Sequence, residues 1–366
     1  MKTKKLLITL SALLASFLVG GIGLGNDSGI FDTVPSDGAL AAPNLTVTID
    51  GAKVTLSWNK VTGASDYVVH YAQKPYDNPN TIKTIDVGDK TSASYDLSPG
   101  DTYHIAVKAC KDSGLDCSNY STIHDVIIPL ASTFKNSLGQ EFKLIPAGTF
   151  MMGDVGDAPD YGDDEFLHQV TLTQSFYMQT TEVTQAQWEA VMGNNPSYNQ
   201  GCPNCPVEGV SWYNVQEYIA EMNKRGEGEY RLPTEAQWEY ACRAGSTTAI
   251  YNGNLTNVGC EYEPNLAAIA WYCYNSKVSY PVAQKIPNAW GLYDMLGNIE
   301  EWCQDWYGPK YYYEAPGTDP PGPSSGLERI VRGGDTGSIG AIVRSSFRWG
   351  RLPDQKGSGF RLLRQP

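Results

Sequence analysis

A chain of 366 residues is long enough for two or three domains, and its 41% apolar residues can fill real cores. The formal net charge of −13 gives no support to a nucleic-acid partner, because phosphate binding needs clustered Lys and Arg. Tyr (23) and Trp (9) are plentiful, and Gly (37) and Pro (22) announce many turns. In chain order, Lys2, Lys4 and Lys5 precede an uncharged apolar run over residues 6–24. A basic stretch followed by an apolar one reads as an export signal. Its length is near the ~20 residues that cross a bilayer, so residues 1–24 are either a cleaved signal peptide or a retained membrane anchor. The protein is then periplasmic, on the surface of a bacterial cell, or secreted. Residues 25–42 are small and polar without periodicity and read as a linker.

Residues 43–130 alternate apolar and polar in short runs, among them Leu45-Thr46-Val47-Thr48-Ile49, Val54-Thr55-Leu56 and Tyr67-Val68-Val69-His70-Tyr71. Turn residues such as Asp50-Gly51, Thr62-Gly63 and Pro99-Gly100 separate them, which predicts a β-sandwich. Trp58 in Leu56-Ser57-Trp58, and Leu97 with Tyr103 in Leu-x-Pro-Gly-x-x-Tyr, resemble the core tryptophan and tyrosine corner of a fibronectin type III domain. That resemblance implies a spacer or adhesion module.

Eight cysteines in an exported chain point to disulfides. The spacings propose Cys110 with Cys117, Cys202 with Cys205, and Cys260 with Cys273. Cys242 and Cys303 either pair with each other or are buried free thiols. The Cys202-Pro203-Asn204-Cys205 run also has the form of a redox or zinc half-site. Zinc would need two further ligands that no motif supplies, so a structural disulfide is the preferred reading.

Residues 131–366 change texture. Thr184-x-x-Gln187 and Thr234-x-x-Gln237 are capping boxes, and between them Ser211 opens a second helix with Trp212, Val215, Ile219 and Met222 on one face. Gly245 can end the helix that Thr234 starts. The long aperiodic stretches between predict a compact domain of ordered loops, whose backbone groups need side-chain partners.

The ordered motifs here resemble the sulfatase-modifying-factor, or formylglycine-generating, family. They run from Ile145-Pro146-Ala147-Gly148-Thr149-Phe150 through Glu182-Val183-Thr184 and Tyr230-Arg231-Leu232-Pro233-Thr234-Glu235-Ala236-Gln237-Trp238-Glu239. They continue with Gly291-Leu292-Tyr293-Asp294-Met295-Leu296-Gly297-Asn298, Val331-Arg332-Gly333-Gly334 and Gly359-Phe360-Arg361-Leu362. The expected fold class is therefore α+β: a fibronectin type III sandwich over 43–130, then a loop-rich, C-type-lectin-like domain over 131–366. Arg231, Glu235, Arg332 and Arg361 are expected to form bidentate Arg–carboxylate pairs that pin loops to the core.

The resemblance implies an oxidase whose copper is held by two cysteine thiolates shortly after Arg-Gly-Gly, as suits Cu(I). No cysteine follows Cys303, so no copper is expected, and the His cluster of the iron-dependent relatives is missing too. The resemblance also implies a structural calcium loop at Asp294, Gly297, Ile299 and Glu301, an oxygen set of the kind that suits this hard cation. The acidic run Asp154, Asp157, Asp160, Asp163, Asp164 and Glu165 reads as a solvated loop. Function then points to display of a binding surface on 335–357, through Asp335, Thr336, Ser338, Phe347, Arg348, Trp349 and Arg351. The ligand is an unidentified protein or glycan. In variable proteins diversified by retroelements, which the domain also resembles, this segment is the randomised one. The alternatives are a divergent oxidase, or an accessory factor in sulfatase maturation.

Overall fold

The computed structural model describes residues 40–74, 81–111, 116–156 and 164–366, so the expected export segment and nearly all of the linker lie outside the described residues. The chain divides into two compact units, Met1–Pro129 and Leu130–Pro366. Among the described residues no helix is long and apolar enough to cross a membrane.

The first unit consists of β1 (Leu45–Asp50), β2 (Lys53–Trp58), β3 (Asp66–Gln73), β4 (Lys83–Gly88), β5 (Ser92–Asp96), β6 (Thr102–Lys111), β7 (Asp116–Cys117) and β8 (His124–Ile127). One sheet has the order β1-β2-β5, the other β4-β3-β6-β7 with β8 also paired to β6. Alternation does what the sequence predicts. Val54, Leu56 and Trp58 from β2 meet Tyr67 and Val69 from β3 and Ile105 and Val107 from β6 in one core. Tyr103 is buried, and its hydroxyl donates to the Asp101 carboxylate at 3.0 Å. The Cys110–Cys117 disulfide joins β6 to β7.

The second unit has three helices of more than two turns at the expected places: α1 (Gln185–Met192), α2 (Trp212–Asn223) and α3 (Glu235–Arg243). Each starts on a reciprocal capping box, with Thr184, Ser211 or Thr234 satisfying an orphan amide while the third helical residue reaches back. Two short helices, α4 (Pro264–Ile269) and α5 (Tyr311–Glu314), lie later. Trp212, Val215, Ile219 and Met222 are buried, as the helical spacing requires. The stop of α3 differs from the expectation. Ala244, one residue before Gly245, holds the left-handed position at φ 46°. A side chain there costs about 1 kcal/mol, so Ala244→Gly is expected to raise stability by roughly that amount in a denaturant titration.

The strands of this unit are β9 (Thr133–Lys135), β10 (Glu141–Ile145), β11 (Gly148–Met152), β12 (His168–Leu172), β13 (Phe176–Gln179), β14 (Tyr230–Arg231), β15 (Glu301–Trp306), β16 (Arg329–Arg332), β17 (Arg348–Arg351) and β18 (Leu363–Arg364). They form a five-stranded sheet β14-β18-β13-β10-β9, the hairpin β11-β12 and a three-stranded sheet β15-β16-β17. Loops fill the rest, and buried arginines tie them together. Arg361 grips both oxygens of Glu301 at 2.6–2.9 Å and donates to the carbonyls of Gln179 and Tyr293. Arg332 pairs with Glu239, which also holds Arg243. Arg348 grips Glu235 at 2.7 and 2.8 Å. Arg231 differs from this pattern: it binds the Leu232 carbonyl and the Gln237 amide oxygen.

Candidate functional site

The antiparallel pair β16–β17 positions the site. Val331 faces Trp349 across the ladder and Arg332 faces Arg348. Side chains alternate along a strand, so Arg348 points into the protein and its neighbour Trp349 points out, 57% exposed. The connection from residue 333 to 347 folds back over this pair. It begins with Gly333, at φ +90°, where a Cβ would press on the Met295 carbonyl oxygen at 3.0 Å. Asp335 then closes a tight turn, its carboxylate accepting from Gly337 N at 2.9 Å and from the Ser338 hydroxyl at 2.7 Å.

The Cys260–Cys273 disulfide stands behind this turn. Cys273 N donates to the Ser338 carbonyl at 3.1 Å, and Gly340 N donates to the Gly259 carbonyl at 2.8 Å, so both flanks of the disulfide hold the loop. Replacing Cys260 and Cys273 by serine is expected to lower stability by about 3 kcal/mol. Amide exchange should rise at 337–341 beyond the rest of the unit, which is the measurement that checks it.

Phe347 and Trp349 lie parallel, with interplanar angle 10° and ring centroids 6.5 Å apart. They form a ridge between two clefts. The first, about 200 Å³, is lined by Glu300, Asp335, Ser338, Ile342 and Arg351 besides the two rings. Glu300 is half-buried, its desolvation pushes its carboxyl above the usual range, and the Arg351 guanidinium beside it opposes that shift. The second cleft, about 660 Å³, is lined by Asp164, Tyr307, Lys310, Tyr313 and Glu314. Tyr313 is 57% exposed and stacks on Phe166, extending the aromatic surface. Aromatic faces edged by carboxylates and a lysine can hold a ligand with an apolar face and hydroxyl or cationic edges.

The predicted binding residues divide. Asp335, Ser338, Phe347, Trp349 and Arg351 come together in the first cleft. Thr336 is half-buried in the turn and lines neither cleft. Arg348 is corrected: it is 2% exposed and spends its donors on Glu235 and on the carbonyls of Asp164 and Gly308. It supports the floor of the second cleft and is closed to a ligand. The end of the acidic run is corrected as well. Glu165 is buried against Arg344 at 2.9 and 3.0 Å, and Asp164 accepts from the Tyr307 hydroxyl at 2.9 Å. Asp157, Asp160 and Asp163 lie outside the described residues. Sequence reading missed Glu300, Tyr307 and Tyr313. The Tyr311-Tyr312-Tyr313 run was a signal, but only the fold shows that Tyr312 is buried and Tyr313 is not.

The residues present do not fit copper. The loop after Arg332-Gly333-Gly334 offers a carboxylate and a hydroxyl where Cu(I) needs thiolates. The remaining free cysteines, Cys242 and Cys303, are both buried and unpaired with each other. Burial pushes the Cys242 thiol up to about 12 and raises that of Cys303 as well. Among the described residues no group of three or more His, Cys, Asp or Glu could hold a metal ion.

The four-ligand calcium set does not fit as a whole either. Glu301 is corrected to an ion-pair residue, because its oxygens are taken by Arg361 and by Trp238 Nε1 at 2.8 Å. Asp294 remains open: its Oδ2 accepts from Ala283 N, but its Oδ1 is buried without a hydrogen bond. Oε2 of Glu182 shares that condition. Burial raises both carboxyls, Asp294 to about 6 and Glu182 well above its usual value, the latter also through the Asp294 charge.

Comparison with known proteins agrees with this architecture. Residues 129–366 match the model of the sulfatase-modifying factor enzyme 1-like domain. The formylglycine-generating enzyme of Streptomyces coelicolor is 33% identical over 195 residues, covering 50% of this chain and 60% of that protein. The serine/threonine-protein kinase pkn1 of Chlamydia pneumoniae is 30% identical over 298 residues, covering 70% and 45%. The chain thus spans less than two thirds of either relative. Among solved structures, Treponema denticola variable protein 1 and PvdO from Pseudomonas aeruginosa each superpose with a TM-score of 0.56 at 29% identity, over 64% of this chain and 98% of theirs. With its motifs, its fold and most of its length in agreement, the chain belongs to the sulfatase-modifying factor enzyme 1-like domain family.

Proposed function

We propose that this protein is an exported binding protein that presents the Phe347–Trp349 ridge and its two clefts to a glycan or protein ligand, and that it lacks the family's oxidase chemistry. One observation carries the reading. The loop that would bear the copper thiolates is a closed Asp335–Ser338 turn, and beside it stands an exposed aromatic ridge with a cleft on each face. The likeness to a protein named as variable supports a display role. Three disulfides among the described residues fit an oxidising, extracellular or periplasmic setting. In this reading the first unit is a fibronectin type III spacer, supported by its two-sheet core and its buried Tyr103. Residues 6–24 are the export signal or the membrane anchor. A structural calcium ion, as part of the proposal, would rest on Asp294 and Glu182 with the Gly297 and Ile299 carbonyls; a calcium-dependent rise in melting temperature, absent from Asp294→Ala, is its test.

The experiment for the whole is a glycan and peptide array probed with the 40–366 protein, followed by titration of the hits. Binding that requires Trp349 supports the proposal. Oxygen consumption with aldehyde formation on a cysteine peptide, after copper loading, would overturn it. The second reading, a divergent oxidase or maturation factor, draws on relatives named formylglycine-generating enzymes and is what that outcome would restore.

A further inference from the structure

The Cys202–Cys205 disulfide lines neither cleft of the binding site. We propose that it is a reversible thiol–disulfide exchange site for an external dithiol partner. Three features carry this. First, the loop is accessible on one side only: Cys202 is half-exposed between exposed Gly201 and Pro203, whereas Cys205 is 1% exposed. An incoming thiolate therefore reaches the Cys202 sulfur.

Second, the loop keeps its shape without the S–S bond. Gln185 N and Ala186 N, at the start of α1, donate to the carbonyls of Cys205 and Pro203, both at 2.9 Å. Cys205 N donates to the Cys202 carbonyl, and Val282 N donates to that of Asn204. Reduction leaves these bonds in place, so the two sulfurs stay poised to close again. Cys260–Cys273 differs, because the residues flanking it hold the 335–341 loop.

Third, the reduced state has a partner waiting. Cys205 Sγ lies 3.6 Å from the Ser279 carbonyl oxygen. In the disulfide that sulfur has no proton to give; as a thiol it donates there, so reduction does not bury an unpartnered S–H.

The exchange balances in two steps. A thiolate of the dithiol bonds to Cys202 Sγ, the Cys202–Cys205 bond breaks, and Cys205 leaves with the electron pair and takes up a proton. The second thiol of the partner then attacks the mixed disulfide, releasing Cys202, and the partner departs as its own disulfide. Two electrons pass from the partner to this chain.

The test is thiol trapping on the folded protein. After treatment with a small dithiol under native conditions, alkylation and peptide mapping should label Cys202 in the folded protein, with buried Cys205 labelled by a second reagent after denaturation and the melting transition unchanged. Removal of the dithiol in air should restore the bond. Cys205→Ser, incubated with oxidised glutathione, should give a mixed disulfide at Cys202 in the folded protein. The proposal is overturned if labelling appears only where the unit unfolds, if reduction lowers the melting temperature as far as the Cys260/Cys273 double serine variant, or if Cys205→Ser forms no adduct.

Discussion

Replacing Arg361 by methionine is expected to destabilise the second unit by about 3–5 kcal/mol, the range for breaking a buried ion pair while leaving its partner behind. At roughly 2–4 °C per kcal/mol for a unit of this size, calorimetry should show a fall in melting temperature of about 10 °C. Methionine keeps most of the volume, so the loss measures charge and hydrogen bonds. Arg361 is fully buried and is the cation among three buried carboxyl groups, Glu301, Glu182 and Asp294. Its charge holds the carboxyls of Glu182 and Asp294 down against burial and mutual repulsion. Without it both rise further. A carboxyl with a raised folded pKa contributes stability that is fully present below its unfolded value, near 4, and is lost as pH rises through the folded value. The gap between variant and wild type should therefore narrow as pH falls from 7 toward 5. A gap independent of pH would show that Arg361 acts by packing alone.

Trp349→Ala is the second large effect, and it falls on binding. An exposed aromatic anchor at the centre of a contact contributes about 2 kcal/mol or more, so affinity for an array-identified ligand should drop by about 30-fold or beyond. The indole is more than half exposed, and removing it should change stability by less than about 1 kcal/mol. Arg348→Ala, one residue away, should do the opposite. It strips Glu235 of its main partner inside the core, so the melting temperature should fall steeply whether or not ligand is present. Equal effects from the two substitutions would contradict the alternation of β17.

The sequence by itself determined the elements whose physics is local. Capping boxes at Thr184 and Thr234 are closed by residues three positions along, so they can be read before any fold exists, as can the helix start at Ser211; the reciprocal bond from Asn214 to Ser211 appears only in the structure. The alternating strands of the first unit and three disulfides across short spacings were legible for the same reason. Membership of the family followed from ordered motifs, and the missing thiolates from a simple absence of cysteine after Cys303.

The tertiary structure alone decided which charges meet and which side chains face out. Glu301 was expected as a calcium ligand from the family resemblance, but Arg361, 60 residues on, pairs with its oxygens. Arg348 and Trp349 are adjacent and equally plausible as contact residues; only the pairing of β17 with β16 sends one to Glu235 and the other to solvent. The second cleft depends on Asp164, Tyr313 and Trp349 converging from three distant segments. Backbone periodicity carries no information about such convergence, because it is fixed by long-range packing and by buried arginines whose partners no local pattern names.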